Sequence, residues 1–170
     1  MKQFFSSVLE IVEITAFAFV AVFLIRSYLV QPFLVSGSSM VPNFSDGDYL
    51  LVDELTYRFR APERGEVVVF RYPKDESVYF IKRIIGLPGE KVVIKDNKTT
   101  IFNDSHKEGF TLDEKYLIGT APVSGNAEFQ VSAGSYFVLG DNRAYSFDSR
   151  SWGTLVKSDI VGLAQFRLWP

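Results

Sequence analysis

Residues 78–86, with the sequence VYFIKRIIG, carry the alternation that decides the fold. Side chains on a β-strand point to opposite faces in turn, so Phe80, Lys82 and Ile84 share one face. The stretch is rich in β-branched and aromatic residues, which favour strands. It therefore predicts a β-strand on which a lysine lies between two apolar side chains.

Runs of the same kind continue through most of the chain beyond residue 33, separated by turn sequences such as SDGD, GLPGE and KDNK. Only residues 55–59 suggest a further short helical turn. We therefore predict a mainly β fold, with an N-terminal transmembrane helix followed by a coiled or barrel-like all-β domain. The other runs are DYLLVDEL (48–55), EVVVFRYP (66–73), KVVIK (91–95), TTIFN (99–103), FQV, YFVLG and IVGLAQFRLW.

Two parts of this domain have a pattern of their own. The sequence KVVIKDNKTTIFN predicts a hairpin that turns at Asp96 and Asn97. Residues 104–130 are more polar, and we expect an irregular excursion from the sheet there. The predicted organisation is thus an anchor at 1–32 and a β-rich domain at 33–170.

The N-terminal segment, residues 4–25, contains only two charged side chains, Glu10 and Glu13. As a helix it would be roughly 33 Å long, enough for the core of a bilayer. Three interpretations compete: a cleaved secretory signal, a helix buried in a soluble core, and a retained single-pass anchor. We favour the anchor, because the segment has no A-x-A cleavage site and no polar back face. Lys2 and Arg26 flank it almost evenly, so the positive-inside rule does not orient it.

Composition excludes several classes of function. The 170-residue chain has a net charge of -2, which gives no basic footprint for nucleic acid. It has no cysteine, so disulfides, thiolate metal sites and a cysteine nucleophile are excluded. Its single histidine, His106, lies in a polar stretch and is expected to be an exposed loop residue. We therefore expect no Ser-His-Asp triad, no metal site and no cofactor.

The serine-rich sequence SGSSM, at residues 36–40, raises the question of a nucleophile. A hydroxyl is a poor nucleophile until a base removes its proton. A lysine can be that base if burial lowers its pKa towards neutrality. Lys82 is the candidate, but a strand lysine can also extend its ammonium group to water from a sheet edge. The pattern alone does not decide between these two states of Lys82.

With Ser39 and Lys82 in place, the sequence resembles the type I signal peptidases, a family of membrane-anchored Ser-Lys proteases. The resemblance covers most of the chain and lies in four motifs in the expected order, of which the last has the form G-D-N-R-x-x-S-x-D-S-R-x-x-G. The motifs are SGSSMVPNF (36–44), RGEVVVFRYP (64–73), FIKRIIGLPGE (80–90) and GDNRAYSFDSRSWG (140–153).

The resemblance implies roles for individual residues. Ser39 would be the nucleophile and Lys82 its general base. Ser146 would hydrogen-bond the Lys82 amine, and an ion pair between Asp148 and Arg150 would brace the last motif. Asp141 is also expected to support the site structurally. The resemblance also implies shallow apolar pockets for small substrate side chains. Each of the residues that would form their walls is apolar and could equally be part of the core: Phe33, Val35, Met40, Phe44, Phe80 and Ile81.

The same resemblance implies a membrane-bound serine endopeptidase that removes signal peptides from exported preproteins after A-x-A-type sites. Its partners would be those signal peptides and the lipid bilayer, not nucleic acid. It would lie in the cytoplasmic (inner) membrane as a single-pass protein, with the β-rich catalytic domain on the outer face.

The sequence departs from the family pattern at three places. Asn43 replaces a usual threonine, and Ala144 and Tyr145 replace residues that are often polar. Gly37 lies where some relatives have a serine whose hydroxyl stabilises the oxyanion, so the second oxyanion donor stays open. Two other classes remain as alternatives: a Ser-Lys protease with a different substrate, such as a pilus-maturation or self-cleaving repressor-type enzyme, and a non-catalytic, membrane-tethered β-domain that binds a partner.

Overall fold

The computed structural model describes residues 2–28, 30–117 and 125–169, and it confirms a mainly β protein. Every strand pairing in this part of the chain is antiparallel. The helices are α1 (Lys2–Tyr28), α2 (Thr56–Phe59) and α3 (Ser149–Trp152). The strands are β1 (Val30–Leu34), β2 (Tyr49–Asp53), β3 (Val67–Tyr72), β4 (Asp75–Gly86), β5 (Lys91–Lys95), β6 (Lys98–Asn103), β7 (His106–Thr111), β8 (Ala127–Gln130), β9 (Ser135–Leu139), β10 (Leu155–Val156) and β11 (Ile160–Trp169).

Most of the described side chains of helix α1 are exposed. Its large apolar side chains between Val8 and Phe23 are exposed, with Phe17 at 77%. This exposure excludes the interpretation of a helix buried in a soluble core. Over the residues that the structure describes, no helix combines the length and apolar character needed to cross a membrane.

The transition from helix to sheet comes earlier than predicted. The anchor was predicted to span residues 1–32, but α1 ends at Tyr28 and β1 runs through Pro32. Proline has no N–H to donate, so it is tolerated in a strand only where no partner needs that hydrogen. Strand β1 lies at the edge of its sheet, which satisfies this condition.

The larger sheet has seven strands in the order β1-β2-β11-β3-β4-β9-β10. Strand β11, which follows all the others in the chain, lies between β2 and β3. In the pairing of β3 with β4, Val68 lies opposite Lys82 and Val69 opposite Ile81. The sheet therefore places the predicted nucleophile loop, between β1 and β2, on one side of β11 and the predicted base, on β4, on the other.

The smaller sheet has four strands in the order β7-β6-β5-β8. Its β5–β6 hairpin confirms the predicted turn, since Asp96 and Asn97 have φ angles of 51° and 62°. Positive φ at both central residues is the requirement of a tight type I′ turn, and asparagine and aspartate tolerate it better than most residues. The described strands thus form two open sheets rather than one closed barrel.

The prediction of an irregular excursion at 104–130 is wrong for part of that segment. Residues 106–111 form β7 and residues 127–130 form β8, both in the smaller sheet. Polar side chains hid these strands, because β7 and β8 are edge strands whose residues are mostly exposed. Residues 118–124 lie outside the described part of the chain.

Buried apolar side chains pack on both faces of β3 and β4. On one face Val68, Phe70 and Ile84 contact residues of β9 and β10. On the other face Val67 and Val69 pack with residues of β2 and of the loop before it. Lys82 lies opposite Val68, so the alternation assigns it to the same face as Val68, Phe70 and Ile84, and it is buried.

Candidate active site

The loop that carries Ser39 is fixed on both sides of the serine. Gly37 has a φ angle of +93°, in the region that favours glycine, and its N–H donates to Asp46 Oδ1 at 2.7 Å. Met40, next to Ser39, is only 1% exposed and packs in the core. Ser39 is therefore held between a constrained turn and a buried anchor.

Lys82 contacts Ser39 directly. Its Nζ atom lies 2.8 Å from Ser39 Oγ and 2.8 Å from the carbonyl oxygen of Ile81. The residue is only 4% exposed, and Nζ lies 5.3 Å from the centre of the Phe80 ring. The alternative of a lysine that extends to water from a sheet edge is excluded by this burial.

Burial also changes the acidity of this amine. It lowers the pKa of Lys82 to about 8, against the opposing charges of Asp148 and Asp141. Neither carboxylate touches the amine, because each is hydrogen-bonded to an arginine, Arg150 or Arg83. A carboxylate in contact would favour the ammonium form and raise the pKa. The pKa of Lys82 is therefore close enough to physiological pH for a substantial fraction of the amine to be neutral.

The expected ion pair between Asp148 and Arg150 is present. Arg150 Nε and Nη2 donate to the two oxygens of Asp148 at 2.8 and 2.9 Å, a bidentate geometry. Asp148 is fully buried, and it also accepts from the N–H of Gly140 at 3.1 Å. Arg150 donates in addition to the carbonyl of Arg143 at 2.8 Å. The pair thus fixes the backbone of the last motif.

Asp141 links the base strand to both motif loops. Arg83, the neighbour of Lys82, donates to its two oxygens at 2.8 and 2.6 Å, and Asn43 donates to it at 2.7 Å. The N–H of Asn142 then donates to the carbonyl oxygen of Ser39 at 2.9 Å. Arg83 and Asn142 lie inside the third and fourth motifs, but nothing in the local sequence marks them, because their partners are distant in the chain.

Ser146 does not make the predicted hydrogen bond to Lys82. Its Oγ is buried without a partner among the described residues, and the amine bonds to Ser39 and Ile81 instead. The side chain of Ser146 packs against Gly140, where even a methyl group would collide with it and with the carbonyl of Ser39. The prediction is wrong for this structure because the amine is turned towards Ser39.

Comparisons with known proteins agree with this site. The family profile described as "Signal peptidase, peptidase S26" matches residues 8–169. The chain belongs to the signal peptidase family. It is 33% identical to the signal peptidase IB of Staphylococcus aureus strain COL, over 96% of this chain and 90% of that protein.

Two further relatives are similar over different shares of the chain. A probable signal peptidase I-2 of Synechocystis is 37% identical over 86% of this chain and 66% of that protein. The crystal structure of a signal peptidase I from Enterococcus faecalis matches with a TM-score of 0.53 and 30% identity. That match covers 62% of this chain and 98% of the solved one. The chain is therefore a peptidase, of the family that removes signal peptides from preproteins.

Ser39 and Lys82 of this signal peptidase line a cleft of about 340 Å³. Four of the predicted wall residues line it, namely Phe33, Val35, Phe80 and Ile81. Met40 and Phe44 do not, because they pack into the core beside the nucleophile loop. Apolar character alone could not separate wall from core, since both kinds of position favour the same residues.

The cleft also has aromatic lining that the sequence analysis missed. Tyr79 lies on the other face of β4 from Lys82, and Tyr145 and Phe147 come from the last motif. Tyr145 is 77% exposed and Phe147 is 53% exposed. Two large aromatic residues in a polar motif could have suggested a binding surface. A loop has no periodicity, however, so the sequence does not predict which way their side chains point.

The single histidine of this signal peptidase is exposed, as predicted, although it begins strand β7 instead of lying in a loop. His106 Nδ1 lies 3.3 Å from Asn103 Oδ1, and its ring contacts Phe110. Within the described residues, no three or more His, Asp or Glu side chains lie together in a way that could hold a metal ion.

Proposed function

We propose that this signal peptidase is a membrane-bound serine endopeptidase that uses Ser39 as nucleophile and Lys82 as general base. The proposal rests on one observation, a buried amine 2.8 Å from a serine hydroxyl in an open cleft. Such a pair needs no histidine, metal or cofactor to activate the hydroxyl.

In the first step, Ser39 Oγ attacks the carbonyl carbon of the scissile peptide bond while neutral Lys82 accepts the hydroxyl proton. The tetrahedral intermediate then collapses, and the Lys82 ammonium donates that proton to the leaving amine. A water molecule attacks the resulting acyl-enzyme, with Lys82 again as the base, and Ser39 regains its proton. The short distance between Nζ and Oγ serves all of these transfers.

The oxyanion of the intermediate needs hydrogen-bond donors fixed in advance. The N–H of Ser39 is one donor in this proposal, because attack by its own side chain brings the oxyanion close to it. Gly37 has no hydroxyl, and its N–H already donates to Asp46. The second donor therefore comes from a group other than Gly37.

The substrates are exported preproteins, cleaved after an A-x-A-type signal-peptide site. Small side chains at two alternate positions suit an extended peptide, whose side chains point to the same face at every second residue. Phe33, Val35, Phe80 and Ile81 line the cleft with apolar side chains. We expect walls of this bulk to favour alanine over larger residues.

The membrane location also belongs to the proposal. Helix α1 would be the single-pass anchor in the cytoplasmic membrane, and the domain that starts at β1 would lie on the outer face. The exposed apolar side chains of α1 support this, since a bilayer would cover them. The anchor would hold the cleft beside the membrane surface, where translocated signal peptides present their cleavage sites.

The decisive experiment is cleavage of a preprotein by the full chain in detergent or lipid vesicles. We expect cleavage at one site after an A-x-A sequence, lost in Ser39→Ala and retained in the matched control Ser38→Ala. Ser38 is a neighbouring exposed serine that lines the same cleft, and among the described residues only its backbone carbonyl accepts hydrogen bonds. Undiminished cleavage by Ser39→Ala would contradict Ser39 as the nucleophile, and no cleavage by the wild type would favour a tethered binding domain.

A further inference from the structure

Residues 112–117 follow strand β7 and have no part in the proposed chemistry. The N–H of Leu112 donates to the carbonyl of Thr99 at 2.9 Å, which ties the segment to the smaller sheet. Lys115–Leu117 then form a single 3₁₀ turn. From this short segment, Glu114 and Tyr116 reach into the network behind Ser39 and Lys82.

Glu114 neutralises a buried arginine of the last motif. The Arg143 side chain is completely buried, and its two terminal nitrogens donate to the Glu114 carboxylate at 2.5 and 3.3 Å. Burial alone lowers the pKa of Arg143, but the hydrogen bond and charge of Glu114 outweigh it and the pKa is raised. An arginine buried without its partner is strongly destabilising. The native position of Arg143 therefore depends on Glu114.

Tyr116 contacts the other side of the same network. Its ring lies against the guanidinium group of Arg83, 4.2 Å from ring centre to Cζ, and its hydroxyl donates to Glu114 at 2.8 Å. Its carbonyl oxygen accepts from Asn43 Nδ2 at 2.9 Å. Burial raises the pKa of this phenol, so Tyr116 remains a neutral donor. One residue thus contacts both the strand of Lys82 and the loop of Ser39.

Short paths of hydrogen bonds and one ring contact connect these two residues to the reacting pair. The Arg143 side chain donates through Nε to the carbonyl of Gly140 at 3.1 Å, and its backbone N–H donates to the carbonyl of Asp141 at 3.0 Å. The next residue, Asn142, donates to the carbonyl of Ser39 at 2.9 Å. Arg83, held by Tyr116, directly follows Lys82 in the chain. The first path ends in a hydrogen bond to Ser39, and the second ends at the residue next to Lys82 in the chain.

We propose that Glu114 and Tyr116 are positioning residues, which hold the nucleophile loop and the base strand at their working separation. This inference rests on the proposed Ser39-Lys82 mechanism, because it names what keeps that pair together. It assigns to the 112–117 segment a role in catalysis that its sequence does not show, since neither side chain lines the cleft.

The test compares Glu114→Ala with Glu128→Ala in the full chain. Both glutamates form an ion pair, but Glu128 pairs with Lys91, whose side chain is 41% exposed, and is 66% exposed itself. Displacing a reacting group by about 1 Å can cost about 100-fold in rate. We expect Glu114→Ala to lower kcat per folded molecule about 10- to 100-fold with little change in KM, and Glu128→Ala to leave both unchanged.

Conservative variants separate positioning from folding. Glu114→Gln keeps the shape and part of the hydrogen bonding, so we expect partial rescue of kcat over Glu114→Ala. Tyr116→Phe removes only the hydroxyl, whereas Tyr116→Leu also removes the ring from Arg83 and should lower kcat more. If Glu114→Ala does not fold, these three variants decide the matter. A normal kcat per folded molecule in all of them overturns the proposal.

Amide hydrogen exchange gives a readout that does not need activity. Loss of Glu114 should speed exchange at residue 142, whose N–H donates to Ser39, while exchange in β9 stays as in the wild type. A wild type that cleaves no preprotein contradicts the proposed function, and the positioning role is then judged by exchange alone. Unchanged exchange at residue 142 in Glu114→Ala contradicts the positioning role, whatever the wild type cleaves.

Discussion

The two sheets each place a strand lysine near a phenylalanine ring, and the two lysines differ in their surroundings. Lys82 in the larger sheet has its Nζ 5.3 Å from the ring of Phe80, and Lys91 in the smaller sheet has its Nζ 4.9 Å from the ring of Phe102. The Lys91 side chain is 41% exposed and pairs with Glu128, whereas Lys82 is 4% exposed and bonds to no carboxylate. An aromatic neighbour is thus common to both, and burial without a counter-ion is what distinguishes the candidate base.

The same contrast holds for the acidic side chains. Near Lys82, Asp148 and Asp141 are fully buried, and each is bound by an arginine at two points. Near Lys91, Glu128 is an exposed partner in a single contact at 3.3 Å. The carboxylates near Lys82 are therefore bound by arginines and do not contact the amine. Lys82 accordingly retains its lowered pKa.

Replacement of the two lysines tests the comparison at its strongest point. We expect Lys82→Ala to lower kcat by about 10⁴-fold or more, as is usual when one member of a nucleophile-base pair is removed. Lys91→Ala should leave kcat unchanged, because it removes only an exposed ion pair. Steady-state cleavage of a preprotein, with circular dichroism to confirm folding, measures both. Comparable activity in the two variants would contradict the assignment of Lys82 as the base.

The carboxylates should differ in their contribution to stability. Asp148→Ala leaves Arg150 without its partner and the Gly140 N–H without an acceptor, so we expect a loss of about 3–5 kcal/mol. Glu128→Ala breaks an exposed pair worth about 0–1 kcal/mol. Urea denaturation of both variants, each against the wild type, gives the two free energies of unfolding. Equal losses would show that burial of the ion pair is not what matters.

The pH dependence follows from the lowered pKa of Lys82. Because the neutral amine is the base, kcat/KM should rise with pH up to about 8 and level off above it. Burial holds the folded pKa at about 8, below the ordinary 10.5, so between these values the unfolded chain binds more protons. Stability relative to Lys82→Met should therefore increase with pH across that window, by about 3 kcal/mol in all, and stay flat below it. A stability difference that falls with pH would contradict a buried, neutral Lys82.

The smallest effect is expected at the hairpin turn of the smaller sheet. Asn97 has a positive φ angle of 62°, which glycine adopts without strain. Asn97→Gly should change the free energy of unfolding by less than about 0.5 kcal/mol and leave cleavage unaltered. Thermal denaturation and the cleavage assay check this together. A large loss of activity would mean that the smaller sheet acts on the site through this turn.

The sequence predicted what depends on local patterns. Alternation placed Lys82 on an apolar face, and the turn at Asp96 and Asn97 was confirmed, because both follow from neighbouring residues. Helix α3 was missed, although Asp148 at its N-cap and Gly153 at its end are signals that could have indicated it. Its four residues are too few to show a period.

Pairings between distant segments could not be predicted in the same way. Ser146 was assigned to Lys82 by resemblance, but its position depends on how Gly140 packs against the nucleophile loop. Glu114 and Arg143 are 29 residues apart, and no local sequence pattern near either residue predicts their contact. Strand β7 was hidden by its exposed side chains. Such contacts depend on three-dimensional packing, which the periodicity of a sequence does not predict.

The position of strand β11 in the sheet has a consequence for folding during synthesis. It lies between β2, next to the loop of Ser39, and β3, the partner of the strand of Lys82. Before β11 has been synthesised, no strand joins β2 to β3, and the alcohol and the amine are linked through side-chain contacts such as those of Asp141 and Tyr116. We therefore expect a polypeptide that lacks β11 to hold the two groups less firmly and to cleave more slowly than the full chain.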